Sequence, residues 1–191
     1  MARAGLNTEV VLKAAMNIAD SDGLTSLTIA KLASSLGVKA PSLYNHIQSL
    51  DLVKDELTQR GILLLSERTR DAMAGVEGRK ALYALSHSQR QFAKEHPGLW
   101  AATQTPVAGW SGSSQKVADT YISLVLAVLH GYGATGDVAI HAARVIRASL
   151  LGFINLEIGG GFGYPEDVDI SFTILMKTLD AGLRSLSKHP K

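Results

Sequence analysis

An all-α fold is predicted by three features of the sequence. Apolar residues recur at helical spacing along most of the chain, capping and breaking residues punctuate that pattern, and neither period-two alternation nor an Asn-Gly hairpin turn occurs. Thr8 is a candidate N-cap with Glu9 in the first turn, and Val11, Ala15, Ile18 and Ala19 share a face until "DSDGLTS" ends the helix. Thr28 can cap a second helix with Ile29, Leu32, Ala33 and Leu36 on its apolar face, and Gly37 stops it. Pro41 suits the first turn of a third helix, where its missing N–H costs nothing; Leu43, Tyr44 and Ile47 follow before "QSLD" breaks the run. A fourth helix starts near Leu50, carries Val53 and Leu57, and runs toward the break between Met73 and Gly78. Helices are then expected from Arg79 to Lys94, Ser114 to Leu129, Asp137 to Ile158 and Ile170 to Leu186, with a short "PGLWAATQT" segment after the first of these. The expected organisation is a domain over residues 1–50, a linking fourth helix to about residue 74, and a second domain over 76–191.

Composition narrows the function classes. The 191 residues are 46% hydrophobic and 19% charged, the signature of a folded globular chain with apolar surface to cover. No cysteine is present, which removes disulfides, thiolate chemistry and Cys-ligated zinc. The six histidines are scattered without metal-ligand spacing, so neither a metal nor a cofactor is expected. The apolar runs "LVLAVL" and "LLGFI" are far shorter than a membrane span, and "MARAGLNTEV" has no secretory apolar core. The expectation is a cytoplasmic protein with no membrane partner. The net charge of +2 permits a nucleic-acid partner without demanding one, since residues 1–60 carry six basic and six acidic side chains. Local placement must then do what net charge does not, with Asp20, Asp22, Asp51, Asp55 and Glu56 kept away from the nucleic acid.

The stretch "LASSLGVKAPSLYNHI" supplies that placement. Two short helices joined through a Gly-containing turn form a helix-turn-helix, whose second helix can enter the DNA major groove. Small Ala33 allows close approach, Gly37 accepts the turn geometry, and Leu43 fills the space between the helices. The outward face offers Lys39, Ser42, Tyr44, Asn45 and His46 to phosphates or base edges, and Ala40 and Pro41 to a thymine methyl. Residues 8–57 resemble the DNA-binding domain of the TetR/AcrR family of transcriptional regulators. The segment "GLTSLTIAKLASSLGVKAPSLYNHIQSLDLVKDEL" matches the family's glycine, Leu-Thr, Leu-Gly-Val, Leu-Tyr and His landmarks. The resemblance implies that the helix near Pro41 is the recognition helix, that Thr28, Tyr44 and His46 meet phosphates, and that Lys39 to Asn45 contains the base readers. One position departs: Leu50 stands where the family commonly has a phosphate-holding lysine, leaving Lys54 or Arg3 as substitutes.

Within the second half, the run from Leu150 to Leu183 is similar to a C-terminal subgroup marked by a Trp-His-Gly element, although Leu151-Gly152 replaces His-Gly. The helix from Asp137 to Ile158 is apolar nearly all round, as is the last helix, and both need cover on most sides. A homodimer interface is therefore expected from Ile146, Leu150, Phe153 and Ile154 together with Phe172, Leu175, Leu179 and Leu183. A two-fold pair would present two recognition helices ~34 Å apart to a palindromic operator. The family resemblance also implies release by a small-molecule inducer. Trp100, Trp110, Tyr121 and Phe153 are candidate cavity walls with His130 and Tyr164, and His141, Arg144 and His87 are candidate polar anchors.

Two other classes compete. "GYGATG", Gly131 to Gly136, satisfies G-x-G-x-x-G and has Glu157 about twenty residues on, as in a dinucleotide-binding enzyme. Its flanks follow helical spacing and supply no second strand, so an interhelical loop is expected and no enzyme. A helical-bundle interaction adaptor would use the dimer surface and leave the groove-facing set idle.

Overall fold

The computed structural model describes residues 6–104 and 113–186, and no strand occurs among them. The helices of the first half are α1 (Thr8–Asp22), α2 (Ile29–Leu36), α3 (Ala40–Leu43) and α4 (Leu50–Ala72). They are followed by α5 (Gly78–Glu95), α6 (Pro97–Gln104), α7 (Ser113–His130), α8 (Gly136–Ile158) and α9 (Val168–Leu186). The chain forms two compact units, residues 1–63 with 95–117, and residues 64–94 with 118–191. Helix α4 thus contributes to both.

In the first unit, α1 is capped by Asn7 rather than Thr8, the Asn7 side chain accepting from the Val10 N–H at 2.9 Å. Asn is the stronger capping residue, and the hydroxyl of Thr8 is released for another partner. The buried face of α1 is Val11, Leu12, Ala15, Ile18 and Ala19. A one-turn 3-10 helix, Leu24–Ser26, leads to α2, where Thr28 accepts from the Lys31 N–H at 3.2 Å. Gly37 closes α2 at φ 66°, a left-handed conformation that side chains disfavour. Helix α3 is shorter than the sequence suggests: one helical turn, Ala40–Leu43, with residues 44–46 continuing as a turn. Ser49 then accepts from the Leu52 N–H at 3.1 Å to start α4.

Helix α6, which the sequence places in the second domain, packs on α1 in the first unit. The approach is close because Gly98 has no side chain there: a Cβ would lie 2.1 Å from the Ala19 carbonyl carbon. Asp20 fixes the α6 start, accepting from the Gly98 and Leu99 N–H groups at 2.9 and 3.1 Å. A carboxylate at a helix N-terminus satisfies orphan amides and complements the helix dipole.

The second unit is built on Leu82, Leu85, Phe92, Leu129, Ile146, Leu150, Ile154, Phe172 and Met176, all buried. "GYGATG" forms the turn between α7 and α8. Its amides bond back to the α7 carbonyls, Gly133 to His130 at 2.8 Å and Ala134 to Leu129 at 3.1 Å, so they are engaged in ending a helix. Glu157 is likewise engaged: Arg90 grips both of its oxygens at 2.6 and 2.5 Å, and Lys94 adds a bridge at 2.8 Å.

Candidate nucleic-acid interface

The helix-turn-helix corner is set by local bonds and two apolar anchors. The Val38 N–H donates to the Ala33 carbonyl at 3.0 Å, leaving Lys39 in extended conformation as the N-cap of α3. The Ser42 N–H returns to the Lys39 carbonyl at 2.9 Å, and the His46 and Ile47 amides both bond to the Leu43 carbonyl, at 2.8 and 3.0 Å. Leu43 is fully buried and Ile47 nearly so, which fixes the inward side of the segment. The outward side is then determined by helical geometry. Lys39, Pro41, Ser42 and Asn45 are exposed, Tyr44 is 56% exposed, and Ala40 and His46 are half-buried. Thr28 is exposed at the start of α2; its oxygen accepts a capping bond while its hydroxyl proton remains available to a phosphate oxygen. The structure therefore brings the whole expected set to the surface of one helix-turn-helix.

Most of the acidic side chains nearby are engaged. Asp22 pairs with Lys31 at 2.7 Å, Glu56 with Arg60 at 3.1 Å, and Asp20 with the α6 start. Asp51 is exposed in the first turn of α4, beside Leu50. Lys54, one of the two basic residues expected to stand in for the missing lysine, is half-buried one turn further on; Arg3 lies outside the described residues.

Residues 82–179 match the family described as "Tetracyclin repressor-like, C-terminal domain". A protein of Bacillus subtilis (strain 168), YobS, described as an uncharacterized HTH-type transcriptional regulator, is 34% identical over 98% of this chain and 97% of its own. This chain belongs to the TetR family. It is a DNA-binding transcriptional regulator. The Mycobacterium tuberculosis regulator Rv0681 is similarly related, at 33% identity over 97% of this chain and 85% of its own. Among solved structures, a protein of unknown function from Rhodococcus sp. RHA1 superposes with a TM-score of 0.77 at 23% identity, covering 95% of this chain and 97% of its own. A TetR variant from Acinetobacter baumannii AYE, solved in complex with minocycline, gives 0.70 at 23% identity, covering 95% and 98%. These two share the fold.

The residues expected to line a ligand cavity are divided between the two units of this TetR-family chain. Trp100 is buried in the first unit on α6, whereas Tyr121 and Phe153 belong to the second. Tyr121 is hydrogen-bonded by the Gln89 amide, and burial pushes its hydroxyl well above the usual phenol range. Phe153 packs on Phe162 and Phe172 at ring distances of 5.0 and 5.2 Å. His87 stacks edge-on against Phe172 at 5.1 Å, and burial, assisted by the Arg90 charge, lowers its pKa. His141, Arg144 and Tyr164 are exposed, and Trp110 lies outside the described residues. One groove in the second unit, of about 460 Å³, is lined by apolar Met73, Val76, Ala81 and Leu124 with Arg70, Glu77 and His130. Of the expected ligand residues that are described, His130 lines it.

The expected dimer residues require correction. Ile146, Leu150, Ile154, Phe172, Leu179 and Leu183 are all under 8% exposed within the single chain, so they form its core; Phe153 and Leu175 are half-buried. Both helices are apolar on two faces, and periodicity alone does not tell the inward from the outward one. The outward face of α8 carries Val138, His141, Val145, Ala148, Gly152 and Leu156, and that of α9 carries Ile170 and Ile174.

Sequence reasoning gave Thr8 and Glu9 only a role in starting α1 and missed their partners His46 and Arg60. Thr8 donates its hydroxyl to the His46 carbonyl at 3.0 Å, and Arg60 forks onto Glu9 at 2.7 and 2.6 Å. No spacing signal exists for partners 38 and 51 residues apart.

Proposed function

We propose that this TetR-family regulator is a cytoplasmic repressor, with no enzymatic activity, that binds a palindromic operator as a homodimer through residues 1–50 and is released by a small molecule bound within residues 76–191. The observation that carries the DNA contacts is the helix-turn-helix itself: Lys39 to His46 stand outward over two buried anchors, Leu43 and Ile47. Thr28, Tyr44 and His46 are the phosphate partners in this reading, and Lys39, Ala40, Pro41, Ser42 and Asn45 face the bases. Selection of bound duplexes from genomic fragments tests it, and affinity should fall as salt rises because phosphate contacts release counterions. Replacing Tyr44 and His46 together by alanine is expected to weaken binding to every duplex by about 10- to 100-fold. The melting temperature should stay put, since neither side chain is buried. Unchanged affinity in that variant would place the DNA on another face.

Support for the dimer is the apolar outward face of α8 and α9, with Val145 58%, Ile170 61% and Ile174 58% exposed. Gly152 adds to it. An interior helical glycine costs up to ~1 kcal/mol against alanine, and among the described residues nothing beyond the helix's own backbone lies within 4 Å of where its Cβ would be. A second helix crossing there would benefit from the missing side chain. Ile174→Asp is expected to convert a sedimenting dimer to monomers, because burying an unpaired carboxylate costs several kcal/mol. A dimer that survives this change is assembled through another surface.

For the ligand, the groove beside Met73, Val76 and Leu124 supports a site for a small, mainly apolar molecule. Release follows by linkage if that molecule binds more tightly to the conformation with lower DNA affinity. The Trp-His-Gly subgroup resemblance remains part of this reading.

A further inference from the structure

Helix α3 is a single turn, and one turn does not hold its own shape, because forming it fixes more dihedral angles than its few hydrogen bonds compensate. Its orientation must be imposed by its surroundings. At one end Val38 is tied to Ala33, and in the middle Leu43 is fully buried. At the far end Thr8, the first residue of α1, donates its hydroxyl to the His46 carbonyl at 3.0 Å. The adjacent residue, Glu9, is held from α4. Arg60 donates to both Glu9 oxygens at 2.7 and 2.6 Å, and its Nε donates to Glu56 at 3.1 Å. Hydrogen bonding from Arg60 keeps the Glu9 carboxyl below its usual pKa range, so the pair is ionised at neutral pH. A two-pronged guanidinium contact fixes direction as well as distance. One turn of α1 therefore joins α4 to the end of the recognition segment.

We propose that Thr8 and Arg60 are positioning residues for operator recognition: Arg60, through Glu9, seats the first turn of α1 on α4, and Thr8 passes that placement to the recognition segment at His46. Neither residue acts by touching a base. The inference rests on residues 39–46 being the segment that reads DNA, and the experiment separates the two.

Binding of wild type, Thr8→Val, Thr8→Ser, Arg60→Met and the Thr8→Val/Arg60→Met double variant is measured on two duplexes. One is the duplex most enriched from genomic fragments, and the other is a scrambled duplex of equal length and composition. Thr8→Val keeps the shape of threonine and removes the hydroxyl; it should bind the enriched duplex about five- to tenfold more weakly, the scale of one lost hydrogen bond. Its binding to the scrambled duplex should fall by much less, because a misaimed reading segment loses its base contacts while the phosphate contact from Thr28, outside that segment, persists. Thr8→Ser should restore discrimination. Arg60→Met should behave as Thr8→Val does, and the double variant should lose less than the product of the two single losses, since both act through one turn. Wild-type discrimination in Thr8→Val overturns the inference and leaves the DNA-reading segment standing. An equal loss on both duplexes also overturns it, because that pattern marks either a direct phosphate contact or a loss of folded protein. A wild type that does not discriminate, or Tyr44→Ala binding as tightly as wild type, removes the reading of residues 39–46 and this inference with it.

Discussion

Gly98→Ala is expected to destabilise the protein by about 3 kcal/mol, the upper end for overpacking, and to lower its melting temperature by roughly 6–12 °C. The added methyl would sit 2.1 Å from the Ala19 carbonyl carbon, 2.2 Å from its oxygen and 2.5 Å from the Asp20 nitrogen. All three are backbone atoms, so no side chain can rotate aside. Helices α1 and α6 would have to separate, and the Asp20 bonds to the Gly98 and Leu99 amides would lengthen with them. Gly182→Ala is the control: it lies in α9 with nothing within 4 Å of the new Cβ, and should be neutral or slightly stabilising. Thermal unfolding of the two variants settles the matter, and a Gly98→Ala protein melting with wild type would mean that α1 and α6 are not in contact at this point.

Glu157→Gln should cost a similar amount for an electrostatic reason. Arg90 has 9% of its side chain exposed and Glu157 12%, so breaking the pair leaves a nearly buried cation without its principal partner. Losing one member of a buried ion pair typically costs 3–5 kcal/mol. The expected value here is about 3 kcal/mol, at the lower end of that range, because Asp169 also reaches Arg90 at 2.6 Å and the guanidinium lies over the Phe172 ring at 4.6 Å. Replacing both partners, Arg90→Met with Glu157→Leu, should recover most of the loss, since two apolar groups remove the desolvation cost together. The pH dependence has a defined sign. Hydrogen bonding from Arg90 lowers the Glu157 pKa in the folded state, against the opposing effect of burial. The stabilisation is then complete above the unfolded glutamate value and is lost as pH falls through the lower folded value. Urea midpoints of wild type and Glu157→Gln should begin to draw together as pH falls below ~4. Midpoints that stay equally far apart from pH 7 to pH 3 would show that the charge on Glu157 contributes nothing.

These two sites mark where sequence reading ends. Thr28, Gly37 and Pro41 announce their helix ends because capping and turn chemistry acts over three or four residues. The long helices after residue 78 were legible to within about two residues at either end. Asp20 and Gly98 are 78 positions apart, and Arg90 and Glu157 are 67 apart. Nothing local distinguishes Asp20 from the solvated Asp of any helix end, and Glu157 had the spacing of a ribose-binding acid. The inward and outward faces of α8 failed for a different reason. Both of its faces are apolar, so only the packed neighbours show that Ile146, Leu150 and Ile154 point inward while Val138 and Val145 point out. The outward set at Lys39 to His46 was readable because Leu43 and Ile47 leave a short segment one way to face.

The brevity of α3 has an evolutionary consequence. Only Leu43 and Ile47 in this segment are committed to the interior, so Lys39, Ser42 and Asn45 are free to vary at little cost to the fold. A lineage carrying this scaffold can adopt new target sites by drifting at a few solvent-facing positions while everything beneath them stays the same.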